Sequence, residues 1–568
     1  MSNQDIAEIL EQTAKLMSLH DENSFKVKSY QSAAFKLERL QETLVGKNIS
    51  ELEKVDGIGK SLSAKIFELL QTGTFPDLHR LTQQTPEGVL QMMQIKGIGP
   101  KKVAVLWKEL NVETVGELLY ACKENRLIEL KGFGAKTQEQ VLKALEFTIS
   151  NQGFFHYATV DVFASEFENF LKEKFKNSLF SRTGSLRRKS EVLESAEFIT
   201  AGVELNEIKS TLETTDLFVH SKTLINDNTI QLFTRHNLKV VIHVSPDSQF
   251  YFDLLKSTGS NDHLEKLRSI SSFENLAAKN FNSEVEIYSA LSLQYIEPEL
   301  REGLNEIESA QQNKLPKLVE LKDLQGILHN HSTYSDGIHT LEQMATYCKK
   351  LGYEYLGICD HSKSAFYANG LQPERVLLQH AEIDELNKKL APFHIFKGIE
   401  SDILNDGSLD YEEDVLQKFD FIVASVHSNL RMNEEKATQR LITAIKNPYT
   451  TILGHPTGRL LLARAGYPID HKAVIDACAE HGVVIELNAH PYRLDLDWRW
   501  IQYALSRGIK ISINPDAHKM EGYHDMYYGV CAARKGMLTK ENTFNALAKN
   551  EIEKHFRSRV KLVGSRFE

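Results

Sequence analysis

Seven short apolar runs in the C-terminal third of the chain each end in side chains that can bind a metal ion or a substrate. Amphipathic helical segments separate the runs, and this alternation is typical of a parallel barrel or sheet. In an α/β barrel the carboxyl ends of the strands converge on one face, where active sites lie. The polar residues at the seven run ends are His329 and His331, Asp360 and His361, Glu400, His427, His455, Glu486 with Asn488 and His490, and Asp516 and His518. A single histidine at one strand end is often only a buried, hydrogen-bonded side chain. Seven strand ends that all carry possible metal ligands predict a shared site.

Imidazole and carboxylate groups without thiolates suit Zn²⁺ or Mn²⁺. His329 and His331 lie two residues apart in GILHNHSTYSDG (326–337), so a strand would point both to one face, with Asp336 following. About nine ligands are too many for one ion but fit a cluster of about three ions that share a bridging carboxylate. Such a cluster produces hydroxide at neutral pH and holds a phosphate during in-line attack.

This pattern resembles the PHP (polymerase and histidinol phosphatase) domain, which is a distorted (β/α)7 barrel. The resemblance implies nine metal ligands, which are His329, His331, Asp336, His361, Glu400, His427, His455, Asp516 and His518. It also implies that Glu400 bridges two ions, and the predicted catalytic residues are Glu400, His427 and Asp516. The other polar residues are predicted to support the ligands or to contact substrate (Asp360, Asn488, His490) or to contact phosphate (Lys363, Arg459, Arg534).

The N-terminal third repeats one short pattern three times within helical sequence: VDGIGKSLSAKI (55–66), IKGIGPKKVAVL (95–106) and LKGFGAKTQEQV (130–141). The glycines permit a tight turn with positive φ, and the N–H groups at the start of the next helix can bind a phosphate oxygen. One such turn would be weak evidence, but three with the same flanks resemble helix-hairpin-helix motifs, which grip nucleic-acid backbone without reading bases. The predicted DNA contacts are Gly57, Gly59, Lys60, Gly97, Gly99, Lys101, Lys102, Gly132, Gly134 and Lys136.

Residues 155–315 mix predicted strands and helices. GSLRR (184–188) resembles the phosphate-gripping loop of a nucleotidyltransferase palm, and TGSNDH (258–263) resembles the sugar-and-nucleotide loop of that fold. With the three hairpins and QYIEPELREGLNEIESA (294–310), these loops make nearly the whole chain resemble a bacterial family X DNA polymerase. The nucleotide contacts that the resemblance implies are Gly184, Ser185, Arg187, Arg188, Gly259 and Ser260.

The chain departs from that family at the three aspartates that hold two Mg²⁺ ions during nucleotidyl transfer. Counted from Gly184, the Asp-x-Asp positions hold Ser195 and Glu197, and the position of the third aspartate holds Asn237. At most one formal negative charge remains for two ions that prefer hard, anionic oxygen ligands. We therefore expect weak Mg²⁺ binding and an inactive palm.

Length and composition limit the remaining possibilities. A chain of 568 residues predicts three or four domains, and 42% apolar with 25% charged residues is typical of a soluble globular protein. The sequence has no apolar run of membrane-spanning length, and its start, MSNQDIAEIL, is not a signal peptide. Five scattered cysteines predict neither disulfides nor a thiolate zinc site. These features predict a cytoplasmic protein without a membrane partner, and the net charge of −10 leaves DNA binding to local basic patches.

The predicted architecture is a multidomain α/β chain with four parts. These are an 8-kDa-like DNA-binding domain (1–80), a fingers-like helical region (81–152), a degenerate α+β palm with thumb (153–315) and a PHP phosphoesterase domain (316–568). The resemblance implies a monomeric DNA-repair enzyme that acts on gapped, nicked or 3′-end DNA. Its expected activity is metal-dependent 3′–5′ exonuclease cleavage, with abasic-site endonuclease cleavage as an additional option. Two alternatives stay open, a gap-filling polymerase with an associated exonuclease and a non-catalytic DNA-binding scaffold.

Overall fold

The structure is a computed structural model that describes residues 1–568 except 39, 41, 96, 129, 131, 151–152, 220–222, 227, 271–272 and 565–568. The chain forms two compact units, an N-terminal unit (Met1–Glu146) and a C-terminal unit (Phe147–Glu568). Within the described part of the chain, we find no helix with both the length and the apolarity to cross a membrane. The five cysteines are buried and unbonded to one another.

The N-terminal unit consists of helices that bury one face each. A capping box at Ser2 starts the first helix, which buries Ile6, Leu10, Ala14 and Met17 at helical spacing. The helices are α1 (Asn3–Leu19), α2 (Ser24–Leu37), α3 (Ile49–Leu52), α4 (Lys60–Thr72), α5 (Pro76–Gln83), α6 (Glu87–Met92), α7 (Pro100–Leu110), α8 (Val115–Lys123) and α9 (Ala135–Ser150).

The three Gly-x-Gly patterns form the turns before α4, α7 and α9. The first glycine of each pattern has a left-handed backbone, with φ of +89° at Gly57, +96° at Gly97 and +88° at Gly132. Residues with a side chain rarely adopt this conformation, so the turn explains the first glycine. The second glycine is the N-cap of the next helix in the first two hairpins, with φ of −84° at Gly59 and −86° at Gly99.

The C-terminal unit begins with a mixed sheet. Its strands are β1 (Phe155–His156), β2 (Leu179–Arg182), β3 (Val192–Leu193), β4 (Ser195–Ala201), β5 (Leu224–Asn226), β6 (Thr229–Phe233) and β7 (Lys239–Val244). Five of them form a sheet in the order β2-β4-β7-β6-β5, and β1 pairs with β3. Strands β4 and β7 are parallel, whereas the other neighbours in the five-stranded sheet are antiparallel. The accompanying helices are α10 (Tyr157–Lys174), α11 (Gly184–Arg187) and α12 (Leu205–Glu213).

A small helical region follows the sheet and has its own apolar core, which includes Leu255, Ile287 and Tyr288. Its helices are α13 (Phe250–Thr258), α14 (Asn261–Arg268), α15 (Phe273–Leu276), α16 (Glu284–Ala290) and α17 (Glu306–Gln311). We refer to residues 155–311 as the palm region.

The rest of the unit is a parallel barrel. Its strands are β8 (Gly326–Ile327), β9 (Tyr355–Ile358), β10 (His394–Asp402), β11 (Phe421–Ser425), β12 (Ile452–Leu453), β13 (Val484–Asn488) and β14 (Ile511–Asn514). They pair in chain order, and a parallel bridge between Asn330 and Ala517 links the two outer strands just beyond their carboxyl ends. Strands β9, β11, β13 and β14 are buried along their whole length, because helices cover their outer faces.

The barrel helices are α18 (Leu341–Lys350), α19 (Pro373–Leu390), α20 (Glu413–Leu416), α21 (Glu434–Lys446), α22 (His471–His481), α23 (Ile501–Ser506), α24 (Met526–Lys535) and α25 (Lys549–Gly564). Phe556 of α25 stacks on Phe421, the first residue of β11, with ring centroids 4.9 Å apart. Helix α25 therefore packs at the amino ends of the strands and leaves their carboxyl ends open to a site.

Helix α24 joins the barrel to the palm region. Cys531 of α24 lies in the same apolar core as Phe167 and Phe198 of the palm region. At the end of the helix, the buried Lys535 donates to the backbone oxygen of Arg188 at 3.0 Å and forms an ion pair with Glu302. The palm region and the barrel thus share both an apolar core and a buried ion pair.

Candidate metal centre

The structure brings all nine predicted ligands into one cluster at the carboxyl ends of the barrel strands. Each has a potential ligand atom within 4.0 Å of another member of the cluster. Eight of the nine expose less than a tenth of the side chain, and Asp336 exposes 10%. Burial of so many titratable groups is costly unless they pair with each other or with ions.

Three overlapping groups within the cluster have the geometry of a metal site, with potential ligand atoms within 4.8 Å of one another. The groups are His329, His331, Glu400 and Asp516; His361, Glu400 and His427; and His331, Asp336, His361 and His518. Glu400 belongs to two of the groups, as His331 and His361 also do, and it offers two oxygens, as the predicted bridging role requires.

Glu400 lies on β10, which is the third strand from one end of the seven-stranded barrel sheet and the fifth from the other. Its Oε1 lies 3.0 Å from Nε2 of His455 and 3.1 Å from Nε2 of His427. Its Oε2 lies 2.9 Å from Nδ1 of His361. Burial would raise the pKa of Glu400, but the surrounding imidazoles outweigh burial and hold that pKa well below its usual range. The central carboxylate is therefore ionised.

Several buried ring nitrogens and carboxylate oxygens of the cluster fit a metal better than a hydrogen bond. Among the described residues, Nε2 of His329, Nδ1 of His331, Oε2 of Glu400 and Nδ1 of His455 are buried without a well-formed hydrogen bond. Buried polar atoms are normally hydrogen-bonded, so a group of exceptions within one cluster fits a metal-binding site. The donor set is imidazole and carboxylate, which suits Zn²⁺ or Mn²⁺.

The histidines of the cluster have divergent pKa values. Burial, together with the neighbouring His518 and His361, lowers the pKa of His331 to about 3, so this ring is neutral. Burial also disfavours the charged form of His427, but Glu400 and Asp402 outweigh it and raise the pKa to about 9. The second ring is thus held by carboxylates on both sides.

Two carboxylates bind histidines of the cluster at the ring nitrogen that faces away from it. Glu486 of β13 accepts a hydrogen bond from Nδ1 of His329 at 2.7 Å, and Asp402 of β10 accepts one from Nδ1 of His427 at 2.5 Å. Each bond leaves Nε2 of the ring facing the cluster. Glu486 was predicted only as one of the polar residues at the strand ends, and Asp402 was not predicted. Asp402 could have been found, because it follows Glu400 by two residues on one strand and therefore shares its face.

Asp360 also lies behind the ligands. It accepts hydrogen bonds from the backbone N–H of Ser332 at 2.8 Å and from the side chains of Ser335 and Gln379. Burial raises the pKa of Asp360 despite these bonds. Asp360 thus binds donors behind the cluster, whereas His361 faces Glu400, and the choice of His361 as the ligand of this strand stays a prediction.

The remaining predicted residues of the barrel lie at different distances from the cluster. Asn488 donates to Oδ2 of the ligand Asp516 at 3.1 Å, whereas His490 accepts from the backbone N–H of Tyr492. Arg459 donates to Asp497, and Arg534 donates to Glu299 at 2.9 Å. Arg493 was not predicted. Its side chain is buried, and its Nε lies 3.8 Å from Oδ2 of Asp516.

The palm region offers a much poorer cation site. Ser195 and Glu197 share a face of β4, and the Ser195 hydroxyl donates to the Glu197 carboxylate at 2.9 Å. Burial would raise the pKa of Glu197, but His243 and Ser195 lower it. Asn237 lies in the turn before β7 with φ of +59°. One carboxylate, one hydroxyl and one amide are the groups at the three positions.

The two predicted nucleotide loops meet in the structure. Arg187 donates to the Thr258 hydroxyl at 2.9 Å, and Arg188 donates to the backbone oxygen of Thr258 at 2.7 Å. Thr258 directly precedes Gly259 and Ser260, and Ser260 caps α14. Both arginines also bind carboxylates, Arg187 at Glu284 and Arg188 at Glu302. The loop thus carries positive charge that the protein itself already balances.

The hairpin residues lie on the surface of the N-terminal unit, where Gly59, Lys60, Gly99 and Lys101 are exposed. A side chain added at Gly59, Gly99 or Gly134 would meet nothing within 4 Å. Neither internal packing nor, at Gly59 and Gly99, an unusual φ requires glycine at these positions. Glycine keeps the backbone bare on the outer side of the turn.

Comparisons with known proteins agree with this division. A model of the PHP domain matches residues 328–490. A helix-hairpin-helix domain model matches residues 1–75, and a model of the SAM-like helix-hairpin-helix tandem matches residues 89–146. The fold and site thus define a protein that combines tandem hairpins with a PHP-type metal-binding barrel.

Relatives identify the family. A Bacillus subtilis (strain 168) protein named DNA polymerase/3'-5' exonuclease PolX is 36% identical over 97% of this chain and 99% of its own length. Proteins named probable phosphatase from Thermoanaerobacter sp. (strain X514) and Acetivibrio thermocellus are 29% and 27% identical, over 34% of this chain and 77% and 78% of their own lengths. This chain belongs to the PolX family. The predicted family resemblance, fold class and enzyme class are therefore confirmed.

Proposed function

We propose that the barrel is a metal-dependent DNA phosphodiesterase that shortens DNA from the 3′ end, and that the palm region no longer synthesises DNA. The observation that carries the proposal is the contrast between the complete nine-residue cluster and the palm site with its one carboxylate. DNA as the substrate is supported by the exposed hairpins and by the name of the B. subtilis relative.

The barrel residues divide the work in this proposal. The nine cluster residues would hold about three Zn²⁺ or Mn²⁺ ions, with Glu400 shared between two of them. Ions of this kind supply a hydroxide nucleophile at neutral pH and neutralise charge on the phosphate. Asp402 and Glu486 fix the ring orientations of His427 and His329. Arg493 adds a positive charge next to Asp516 that favours an anionic substrate.

The hairpins would bind the DNA backbone. The bare backbone at Gly59, Gly99 and Gly134 admits close approach by a phosphate, and the helix start that follows offers free N–H groups. Lys60, Lys101 and Lys136 extend the positive potential next to these helix starts. Contacts of this type position DNA without selecting its sequence. Gapped, nicked and 3′-end DNA are the substrates that the proposal favours, with the protein acting as a monomer.

The palm region keeps its fold but lacks the ligands for synthesis. Ser195 and Asn237 are neutral, so Glu197 alone would have to hold two divalent ions. The loops around Arg188 and Ser260 do not depend on those ions and could still hold a DNA end or a nucleotide. Binding without synthesis is the expected behaviour.

A 5′-labelled primer–template with Mn²⁺ tests the proposal, with and without the four dNTPs. We expect the labelled strand to shorten in both reactions and to remain intact when a chelator removes the metal. Lengthening in the presence of dNTPs would contradict the inactive palm. An intact strand in every reaction would contradict the phosphodiesterase.

A further inference from the structure

A short loop, residues 361–371, connects β9 to α19 and begins at the metal cluster. It starts at the buried His361, includes the exposed Phe366 and ends at the buried Leu371. The backbone N–H of Leu371 donates to the carbonyl of His361 at 2.8 Å. The backbone N–H of Gly370 donates to the carbonyl of Ala365 at 3.0 Å and closes the tip. The loop therefore stands on the metal cluster as a compact, hydrogen-bonded projection.

A second anchor ties the loop to the other side of the same metal group. The Ser364 hydroxyl donates to Oδ2 of Asp402 at 3.0 Å, and Asp402 holds the ligand His427. The rings of His361 and His427 lie 5.1 Å apart. Phe366 follows Ser364 by only two residues, so the exposed ring lies within two residues of an anchor on the group formed by His361, Glu400 and His427.

Two small apolar residues of the loop face inward, and Phe366 faces outward. Ala365 and Ala368 are fully buried or nearly so, whereas 84% of Phe366 is exposed. Among the described residues, no large apolar side chain is more exposed. Packing of the loop therefore does not use the ring. Lys363 lies on the same loop, and its ammonium group sits 5.6 Å from the centre of the Tyr411 ring.

We propose that Phe366 is a stacking platform for a nucleobase next to the scissile phosphate, and so makes the barrel prefer nucleic-acid ends over phosphodiesters without bases. This inference rests on the proposed DNA phosphodiesterase function. An exposed aromatic ring is a surface on which proteins stack the bases of single-stranded nucleic acid without sequence preference. Because hydrogen bonds already order the loop, a stacked base would lose little affinity to ordering of the protein.

The expected effect concerns the base and not the chemistry at the phosphate. Alanine substitution of a stacking aromatic lowers binding of single-stranded nucleic acid by about 5- to 150-fold. The wild-type protein should therefore cleave an ordinary 3′ end faster than a 3′ end whose last two nucleotides lack bases, by a factor in that range. Phe366→Ala should remove this preference, and Phe366→Trp should keep it.

The test measures kcat/KM with Mn²⁺ for wild type, Phe366→Ala, Phe366→Trp and Leu351→Ala on two 5′-labelled single strands. One strand ends in ordinary nucleotides, and the other ends in two tetrahydrofuran abasic units. Leu351 is the matched control, because it is an exposed apolar residue at the amino ends of the barrel strands, opposite the cluster. Bound metal and melting temperature are measured for each variant.

We expect Phe366→Ala to lose about 5- to 150-fold on the ordinary strand and less than about 2-fold on the abasic strand, with unchanged metal content. Equal losses on both strands, or no loss on either, would overturn the stacking role while leaving the phosphodiesterase intact. Failure of the wild-type protein to cleave either strand would overturn the proposed function and this inference with it.

Discussion

The barrel and the palm region each carry a carboxylate on a parallel pair of strands, but Glu400 is fully buried, Glu197 is partly exposed, and the two have different neighbours. Imidazoles face both oxygens of Glu400, and Asp336 and Asp516 add charge to the same cluster. Glu197 instead accepts a hydroxyl hydrogen bond from Ser195 and faces one imidazole, that of His243, at 3.7 Å. The lone carboxylate of the palm region is thus part of the protein's own hydrogen bonding. The three carboxylates of the barrel, in contrast, lie among imidazoles in a cluster that fits metal cations.

The largest effect should come from removing the central carboxylate of the barrel. Glu400→Ala takes a ligand from two metal groups at once, so the protein should lose bound metal. Cleavage should fall by at least about 1,000-fold, since the metal supplies several kcal/mol at the transition state. Metal analysis and cleavage of a 5′-labelled primer check this. Glu385→Gln, an exposed carboxylate paired with Lys388, is the control. Wild-type cleavage by purified Glu400→Ala would refute the barrel assignment.

The reverse experiment would convert the palm site toward the barrel's charge. In an Asp516→Ala, His518→Ala background, which silences the nuclease, we expect no extension of gapped DNA with either Mg²⁺ or Mn²⁺. Adding Ser195→Asp, Glu197→Asp and Asn237→Asp should raise extension by at least about 100-fold, because each restored charge acts at contact distance. Aspartate tolerates the positive φ at residue 237. Robust extension before the aspartates are restored would show that the palm is active as it stands.

A third prediction concerns the acidic groups that the palm region uses for stability. Glu284 is buried between Arg187 and Arg301. Burial would raise its pKa, but the two arginines lower it to about 2. A carboxyl with a lowered pKa stabilises the fold above its unfolded pKa, and this contribution disappears as the pH falls toward the folded value. Glu284→Gln should therefore lower the free energy of unfolding at pH 7 by about 3 kcal/mol.

Thermal unfolding across the acid range checks the sign of this effect. The difference between wild type and Glu284→Gln should be largest near pH 7 and should shrink as the pH falls below 4.5, the usual pKa of this carboxyl. The exposed Glu265→Gln is the control and should match wild type. A difference that grows toward low pH would contradict the ion-pair explanation.

Orientation of a ligand should matter less than the ligand itself. Asp402→Asn keeps the size of the side chain but removes the charge that holds His427. Loss of such a partner commonly weakens metal affinity by about 10- to 100-fold. Competition with a metal chelator measures the change, and Asp406→Asn in the following exposed turn is the control. Unchanged metal affinity would show that the ring is positioned by packing alone.

The smallest effect should come from the hairpins. Lys60→Ala, Lys101→Ala and Lys136→Ala should each weaken DNA binding modestly. Each should also reduce the slope of log affinity against log salt by about 0.7–0.9 if the lysine neutralises one phosphate. Binding titrations at several salt concentrations on two unrelated sequences check both points. Lys15→Ala on α1, which pairs with Glu11, should leave the slope unchanged. A variant that alters binding to one sequence only would contradict backbone recognition.

The sequence predicted the barrel and its ligand cluster better than the contacts around them. Each strand of a parallel barrel ends on the same face, so residues such as His329 and Glu400 could be grouped before any contact was known. The hydrogen bond from His329 to Glu486 joins residues 157 positions apart, so no local sequence pattern predicts it. For the same reason Arg187 was predicted as a nucleotide contact without its partner Glu284, which lies 97 residues further on.

Because helix α24 contacts both the barrel and the palm region, a change that removes one of them also affects the stability of the other. Its Cys531 completes the palm core, and its Lys535 neutralises Glu302 beside the nucleotide loop. A shortened gene that encoded only the barrel would expose Cys531 to water and would remove the ion-pair partner of Lys535. Selection for the barrel's reaction therefore also preserves the palm's fold, independently of its chemistry. The barrel thus depends on the folded palm region whatever chemistry the palm region performs.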